Sequence, residues 1–449
     1  MILDTIVGKA TASGPAALNI IRISGDEAIA IVDRVFKGEN LLLAESHTIA
    51  YGHIRDKNHD IDEVMVSIYR RPRSFTAEDT VEITCHGGDF VASEIIRVLL
   101  REGARLAYPG EFTRRAYQNG RIDLTEAEAI MDVINAKTSS QLSLAQNAIG
   151  GAKKETIQKL QNQLLGIIAE IEVNIDYPEY DDRPKVTNKI ILQRLTSLIE
   201  EIKSLINNAS TGKIIREGIK TVIVGKPNVG KSSLLNSLIK EDKAIVTDIS
   251  GTTRDLVEAE LNLNGLLIKL IDTAGIRDTS DIVESIGIEK TKKAISESDL
   301  VLLVLDQSDH LTDLDFKLLE ITKDKKRILV GNKVDLGMRA ELKNENVIPV
   351  SAKNNIGLDV LSKAVESLFL GNLQLNEPVT LFDNVRHIAK LEEALVSLEE
   401  AEKTALQGLP VDVIGIDLND AWRYLGEITG ENASDSLLDT LFSRFCLGK

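Results

Sequence analysis

The chain has 449 residues, 43% hydrophobic and 27% charged, the balance of an ordinary folded protein, and is long enough for about three domains at roughly 150 residues each. Lys and Arg number 53 against 69 Asp and Glu, a net charge of −16; this excludes a broad nucleic-acid-coated face but leaves room for a local basic groove. Two cysteines, Cys85 and Cys446, exclude a disulfide framework and a four-cysteine zinc site, and no apolar run approaches the ~20 residues of a membrane span.

With no signal-peptide pattern around Asp4 and Lys9, a cytoplasmic, reducing location is expected. In chain order, residues 1–118 read as mixed α and β, with strand-like runs at 18–23, 63–69 and 80–84 and a helix at 91–101. Residues 119–215 read as helical. Thr125 and Glu128 have capping-box spacing, a second helix is expected over 155–175 and a third over 188–208, and Pro178 and Pro184 break the pattern between those two. Residues 216–375 alternate strand and helix, with apolar runs at 220–224, 266–271, 300–305 and 327–330; that is the pattern of a parallel sheet wrapped by helices. Residues 376–449 return to helix, with apolar positions at Val385, Ile388, Leu391, Leu395 and Leu398. The expected architecture is multidomain: an α+β N-terminal domain, a discontinuous helical domain and an inserted Ras-like α/β domain.

Gly225-Lys226-Pro227-Asn228-Val229-Gly230-Lys231-Ser232, followed by Ser233, fits the phosphate-loop pattern between a strand and a helix. Its glycines let backbone N–H groups wrap phosphates at a helix N-terminus. Lys231 suits the β- and γ-phosphates and the Ser232 hydroxyl a magnesium ion. Asp272-Thr273-Ala274-Gly275 ends the next apolar run, and Asn332-Lys333-Val334-Asp335 follows another. A carboxylate at Asp335 can accept two N–H bonds from guanine, a donor pair that adenine lacks, and Ser351-Ala352-Lys353 suits backing of the base. GTP is therefore the expected nucleotide. Thr247-Asp248-Ile249-Ser250-Gly251-Thr252-Thr253-Arg254-Asp255 suits a loop that closes on the γ-phosphate, with Thr253 as a second magnesium ligand. Ile276 stands where many small GTPases place a water-orienting glutamine, which makes Arg254 and Arg277 candidates for supplying transition-state charge.

Flanking strings are more specific. Ile21-Arg22-Ile23-Ser24-Gly25, Ser74-Phe75-Thr76-Ala77-Glu78-Asp79, His86-Gly87-Gly88, Pro109-Gly110-Glu111-Phe112-Thr113-Arg114-Arg115-Ala116 and the ending Phe442-Ser443-Arg444-Phe445-Cys446-Leu447-Gly448-Lys449 resemble the tRNA modification GTPase family known as MnmE or TrmE, over essentially the full chain. Ala77 departs from that family's usual glycine, and the 13–19 stretch lacks its extra glycines. The resemblance implies an N-terminal domain like a tetrahydrofolate-binding fold, a homodimer formed through it, and folate contacts at Arg22, Glu82, Arg121 and Lys449. From the residues alone, Arg22 and Glu82 are polar strand positions facing solvent. The resemblance further implies a potassium site at Asn228, Thr247, Ile249 and Thr252, and a water-orienting role for Glu284, otherwise an exposed acid at a helix start. From the residues alone Cys446 reads as a small packing residue of a helical core, and the resemblance keeps a chemical, catalytic role open for it; Cys85 reads as structural. Implied cofactors are GTP, Mg2+, K+ and 5-formyltetrahydrofolate or methylenetetrahydrofolate. Implied partners are an FAD-dependent GidA/MnmG-type protein, in a heterotetramer, and tRNA, whose wobble uridine gains an aminomethyl or carboxymethylaminomethyl group at carbon five. Two other readings remain open: an Era-like switch that modifies nothing, and a one-carbon transferase with a structural G domain.

Overall fold

A computed structural model describes residues 4–57, 59–176, 188–241, 257–271, 284–337, 346–371, 382–445 and 448. The chain divides into two compact units, residues 1–131 with 425–449, and residues 132–424. Among the described residues no helix is long and apolar enough to cross a membrane.

The first unit is built on seven strands, β1 (Ile6–Lys9), β2 (Leu18–Ser24), β3 (Phe36–Lys37), β4 (Thr48–Asp56), β5 (His59–Tyr69), β6 (Thr80–His86) and β7 (Arg105–Leu106), in the order β3-β4-β5-β6-β2-β1-β7. All neighbours are antiparallel except β1 and β7. Alternation sorts the faces. Ile21 and Ile23 on β2, with Val81, Ile83 and Cys85 on β6, enter a core shared with the helices Ala28–Val35 and Asp89–Arg101. Arg22 and Glu82 therefore point to the other face, where helix Glu111–Gln118 brings Phe112 against Ile6 and Ala107. The C-terminal helix Asp435–Phe442 and the turn after it join this unit by packing Leu438, Phe442 and Phe445 on Leu124 and Ala127. Tyr117 donates to the Gly430 carbonyl at 2.7 Å.

The helix Leu124–Asn135 corrects the capping expectation. The box is formed by Asp123 and Glu126: Asp123 Oδ1 accepts from the Glu126 N–H at 2.9 Å, and Glu126 Oε2 accepts from the Asp123 N–H at 2.7 Å. Thr125 is already inside the first turn and donates to Asp123. An aspartate two residues earlier offers the same acceptor geometry.

The second unit carries six strands, β8 (Ile219–Val224), β9 (Val257–Leu263), β10 (Leu266–Ile271), β11 (Leu300–Asp306), β12 (Arg327–Asn332) and β13 (Val347–Pro349), in the order β13-β12-β11-β8-β10-β9. The central β11 is buried along its whole length, as expected of a strand covered on both faces. The sheet is not wholly parallel, because β9 pairs antiparallel with β10. The two are joined by Asn264-Gly265, both at positive φ (49° and 87°), the backbone of a tight hairpin. That pair was the available sequence signal for β9.

Two helical segments flank this sheet in the chain. Helix Ala152–Asp176 is close to expectation; helix Asn188–Glu217 runs nine residues beyond it, to the start of β8. Helix Val385–Leu406 lies along Asn188–Glu217, with Lys203 paired to Glu399 at 2.7 Å and Thr196 donating to Glu402 at 3.1 Å. Its buried stripe is His387, Leu391, Ala394 and Leu398, whereas Val385 is exposed; alanine and histidine fill positions that a count of large apolar residues overlooks. An ion cluster ties the chain entering and leaving the sheet to these helices. Buried Lys153 pairs with buried Asp383, and Arg216 Nε lies 3.0 Å from Asp132 Oδ1 and 3.6 Å from Asp383 Oδ2.

Candidate functional site: a nucleotide site and an arginine-lined face

Loops leaving the C-terminal ends of β8, β12 and β13 meet at one edge of the second sheet, the edge at which open α/β sheets bind ligands. The phosphate loop runs from β8 into helix Lys231–Glu241, so Lys231, Ser232 and Ser233 occupy its first turn, where backbone N–H groups are unpaired within the helix. Gly230 is at φ +93°, and a Cβ there would overlap Asn332 Nδ2; only glycine fits. Asn228 is at φ +62° and exposed. Lys231 Nζ donates to the carbonyls of Gly225 (2.8 Å) and Lys226 (3.0 Å), and burial lowers its pKa. The ammonium is thus held in the mouth of the loop.

Asn332 is the knot of the site. Its Nδ2 donates to the Val229 carbonyl at 2.8 Å and its Oδ1 accepts from the Ala352 N–H at 3.0 Å, so one buried amide ties three loops together. Ser237 Oγ donates to the Ala352 carbonyl at 2.6 Å. Ser351 Oγ donates to Asp335 Oδ1 at 2.7 Å, orienting the carboxylate at the base end. Lys333, at φ +66°, reaches Asp306 Oδ2 at 2.6 Å. Burial works against the Asp306 carboxylate, but hydrogen bonds from Lys333 and Ser308 hold its pKa below the usual value.

On the first unit, Arg22 and Glu82 are cross-strand partners, with Arg22 Nε and Nη2 at 2.9 and 2.7 Å from Glu82 Oε1. The Arg22 guanidinium lies 4.8 Å from the Phe75 ring centroid, and Arg121 lies 5.0 Å from the same ring; such cation–π contacts fix flat, charged groups in place. Arg121 Nη1 also donates to the Phe75 carbonyl at 2.7 Å, and Arg22 Nη1 to the Gly448 carbonyl at 3.4 Å. Gly448 therefore lies against Arg22. Phe75 and Phe112, whose ring is 5.7 Å from Arg22, were missed as site residues; their place in the flanking strings was the available signal.

The Pro109–Ala116 string is largely structural. Arg115, 2% exposed, bonds Asp4 at 2.6 Å, Glu111 at 3.2 Å and Glu78 at 3.3 Å, locking helix Glu111–Gln118 to the chain before β1. Ala77 adopts φ +60°, a left-handed backbone that suits glycine. Several expected site residues lie outside the described residues: Thr247, Asp248, Ile249, Ser250, Gly251, Thr252, Thr253, Asp272, Thr273, Ala274, Gly275, Cys446 and Lys449, together with Arg254, Ile276 and Arg277. Glu284 opens the helix Glu284–Glu297, but its side chain is outside the description.

A strand-to-helix phosphate loop knotted to an Asn-Lys-x-Asp loop defines a P-loop guanine-nucleotide-binding domain. Two family models match: "GTP-binding protein TrmE N-terminus" over residues 5–121 and "MnmE helical domain" over residues 124–446. A protein of Streptococcus thermophilus described as tRNA modification GTPase MnmE is 50% identical over 99% of this chain and 98% of its own length. Its namesake from Enterococcus faecalis is 48% identical over 100% of this chain and 99% of its own. The solved G domain of the T. maritima FeoB iron transporter is 30% identical, matching 33% of this chain and 98% of that one with a TM-score of 0.25. The chain belongs to the MnmE (TrmE) family.

Proposed function

We propose that this protein is a potassium-activated GTP hydrolase whose nucleotide cycle drives modification of carbon five of the wobble uridine in certain tRNAs. The observation that carries the reading is the Asn332 knot, which joins phosphate, guanine and Ser-Ala-Lys loops into a single preformed site. Backbone N–H groups from Val229 to Ser233 hold the phosphates at the helix N-terminus, and Lys231 neutralises the β- and γ-oxygens. Asp335 accepts from guanine, and Ser351, Ala352 and Lys353 back the base. Ser232 and Thr253 hold magnesium; Asn228, Thr247, Ile249 and Thr252 hold potassium. Hydroxyl, amide and main-chain oxygens are the donor type that hard cations take. Bound, the two cations supply positive charge across the phosphates. With Ile276 in the glutamine position, Glu284 orients the attacking water.

The arginine-lined face is assigned to 5-formyltetrahydrofolate or methylenetetrahydrofolate, held by Arg22, Glu82, Arg121 and Lys449 on a tetrahydrofolate-binding-like N-terminal domain. Two guanidinium groups on one aromatic ring beside a carboxylate suit a flat ring system bearing both donors and acceptors. Bound there, the folate supplies the one-carbon unit. A chemical role for the Cys446 thiol goes with this assignment. Domain limits of 1–118, 119–215, 216–375 and 376–449 go with this reading. So does a homodimer through the N-terminal domain, where Tyr51 and Met65 are exposed register partners beside exposed Ile49. An FAD-dependent GidA/MnmG-type partner completes the assembly on tRNA.

The test is reconstitution. Purified protein, partner, FAD, folate, GTP, an amine donor and unmodified tRNA are incubated and the nucleosides analysed by mass spectrometry. An aminomethyl or carboxymethylaminomethyl uridine is expected. Unchanged tRNA with normal GTP hydrolysis would leave an Era-like switch.

A further inference from the structure

Lys226, in the second position of the phosphate loop, does not face the nucleotide side. Its Nζ lies 3.2 Å from Asp315 Oδ2 and donates to the His310 carbonyl at 3.4 Å, and the two side chains are 14% and 1% exposed. Asp315 stands in the first turn of helix Asp313–Ile321. Its Oδ2 also accepts from the Thr312 N–H at 2.9 Å and hydroxyl at 2.7 Å, and its buried Oδ1 has no hydrogen-bond partner among the described residues. A carboxylate so placed depends on its cation, because an uncompensated buried charge is strongly unfavourable.

The loop is held at both ends by these contacts. At one end the Lys226 carbonyl accepts from Lys231 while its side chain is anchored outward to Asp315. At the other, Val229 is fully buried and its carbonyl is bound by Asn332. Between them lie Pro227, whose ring fixes φ, and Asn228 in the left-handed region. The backbone position of Asn228 is therefore set by the anchored residues on either side of the Pro227-Asn228 pair, Lys226 and Val229. The end of β11 serves the base end too, since Asp306 holds Lys333.

We propose that Lys226 and Asp315 are a positioning pair for GTP hydrolysis: by anchoring the loop from behind, they aim Asn228 at the cation and γ-phosphate. This rests on the potassium reading above. Nucleotide binding depends on Gly230–Ser233 and the guanine loop, so the pair acts on turnover rather than on affinity.

The experiment compares wild type, Lys226→Met, Asp315→Asn, the double variant and Lys226→Arg. For each, kcat at saturating GTP, fluorescent-GDP affinity and the potassium concentration for half-maximal activation are measured. Lys226→Met and Asp315→Asn are each expected to lower kcat about tenfold or more and to raise the half-activating potassium concentration, with GDP affinity within about threefold. The double variant should be no worse than the weaker single one, because paired residues act as a unit. Lys226→Arg, which keeps the charge, should retain at least about half the turnover. Wild-type kcat in Lys226→Met, additive losses in the double variant, or GDP affinity falling in step with kcat would overturn the proposal. Equal wild-type rates in potassium and sodium overturn the potassium reading instead, and the kcat comparison still decides the pair.

Discussion

At the nucleotide site, residues 225–233, 332–335 and 351–353 lie at or just after the ends of parallel strands, and one buried side chain, Asn332, bonds across three loops. Around Arg22, the participating groups come from two adjacent strands, a loop at Phe75, the segment at Arg121 and the last residues of the chain. The first arrangement is carried by short contiguous strings that present backbone groups at the ends of the strands. The second is carried by side chains far apart in sequence, meeting because antiparallel register and the C-terminal tail bring them together. A site made of backbone tolerates few changes at few positions; a site made of side chains spreads its sensitivity more widely.

The largest effect is expected at the phosphate loop. Lys231→Ala removes the ammonium at the loop mouth and should weaken GDP and GTP binding about a hundredfold or more, near 3 kcal/mol, in a fluorescent-nucleotide titration. Asn332→Ala comes next, because it strands the buried Val229 carbonyl and Ala352 N–H at about 1–3 kcal/mol each. Lower nucleotide affinity and a lower melting temperature should appear together. If the second unit were held by strands alone, Asn332→Ala would leave both unchanged.

In the first unit, Arg22→Ala should weaken folate binding about tenfold by equilibrium dialysis, with Phe75→Leu weaker in effect, since the ring supplies about 0.5–2 kcal/mol to its cations. Ala77→Gly should raise the melting temperature of the first unit, relieving about 1 kcal/mol of left-handed strain. The smallest effect is on pH dependence. Burial raises the Asp4 and Glu111 carboxyls, but hydrogen bonds from Arg105 and Arg115 outweigh it and hold both below their ordinary values of 3.8 and 4.5. A lowered folded-state pKa contributes stability above the unfolded value that is lost as pH falls through the folded one. Melting of the first unit should thus be flat above about pH 5 and drop below about pH 4, and substituting Glu111→Gln should flatten that drop.

The same contrast explains what the sequence discloses. The Ras-like sheet is legible because its central strands are apolar runs between helices, as at β11, where burial leaves no alternation to misread. The edge strand β9 escaped because Glu258, Glu260 and Asn262 alternate with its apolar residues and leave no apolar run, while Asn264-Gly265 marks the hairpin. The helix cap lies at Asp123 rather than at Thr125, since both are capping residue types with a glutamate three residues on, Glu126 and Glu128, and spacing alone does not separate them. At the nucleotide site, the motif spells out the residues but not the Asn332 knot or the Lys226–Asp315 anchor, which depend on tertiary proximity. At the Arg22 face almost nothing is legible from local chemistry. An arginine and a glutamate on neighbouring strands look like a surface ion pair until Phe75, Arg121 and the Gly448 carbonyl are seen beside them. Only the family strings mark that face in the chain itself.

The measurement that bears most directly on the account is steady-state GTP hydrolysis by wild type and Asn228→Ala, each in potassium and in sodium buffer. Potassium is expected to stimulate the wild type strongly and to leave Asn228→Ala unstimulated. Equal wild-type rates in the two salts, or stimulation that survives in Asn228→Ala, would contradict it and move the transition-state charge to Arg254, Arg277 or an external activator.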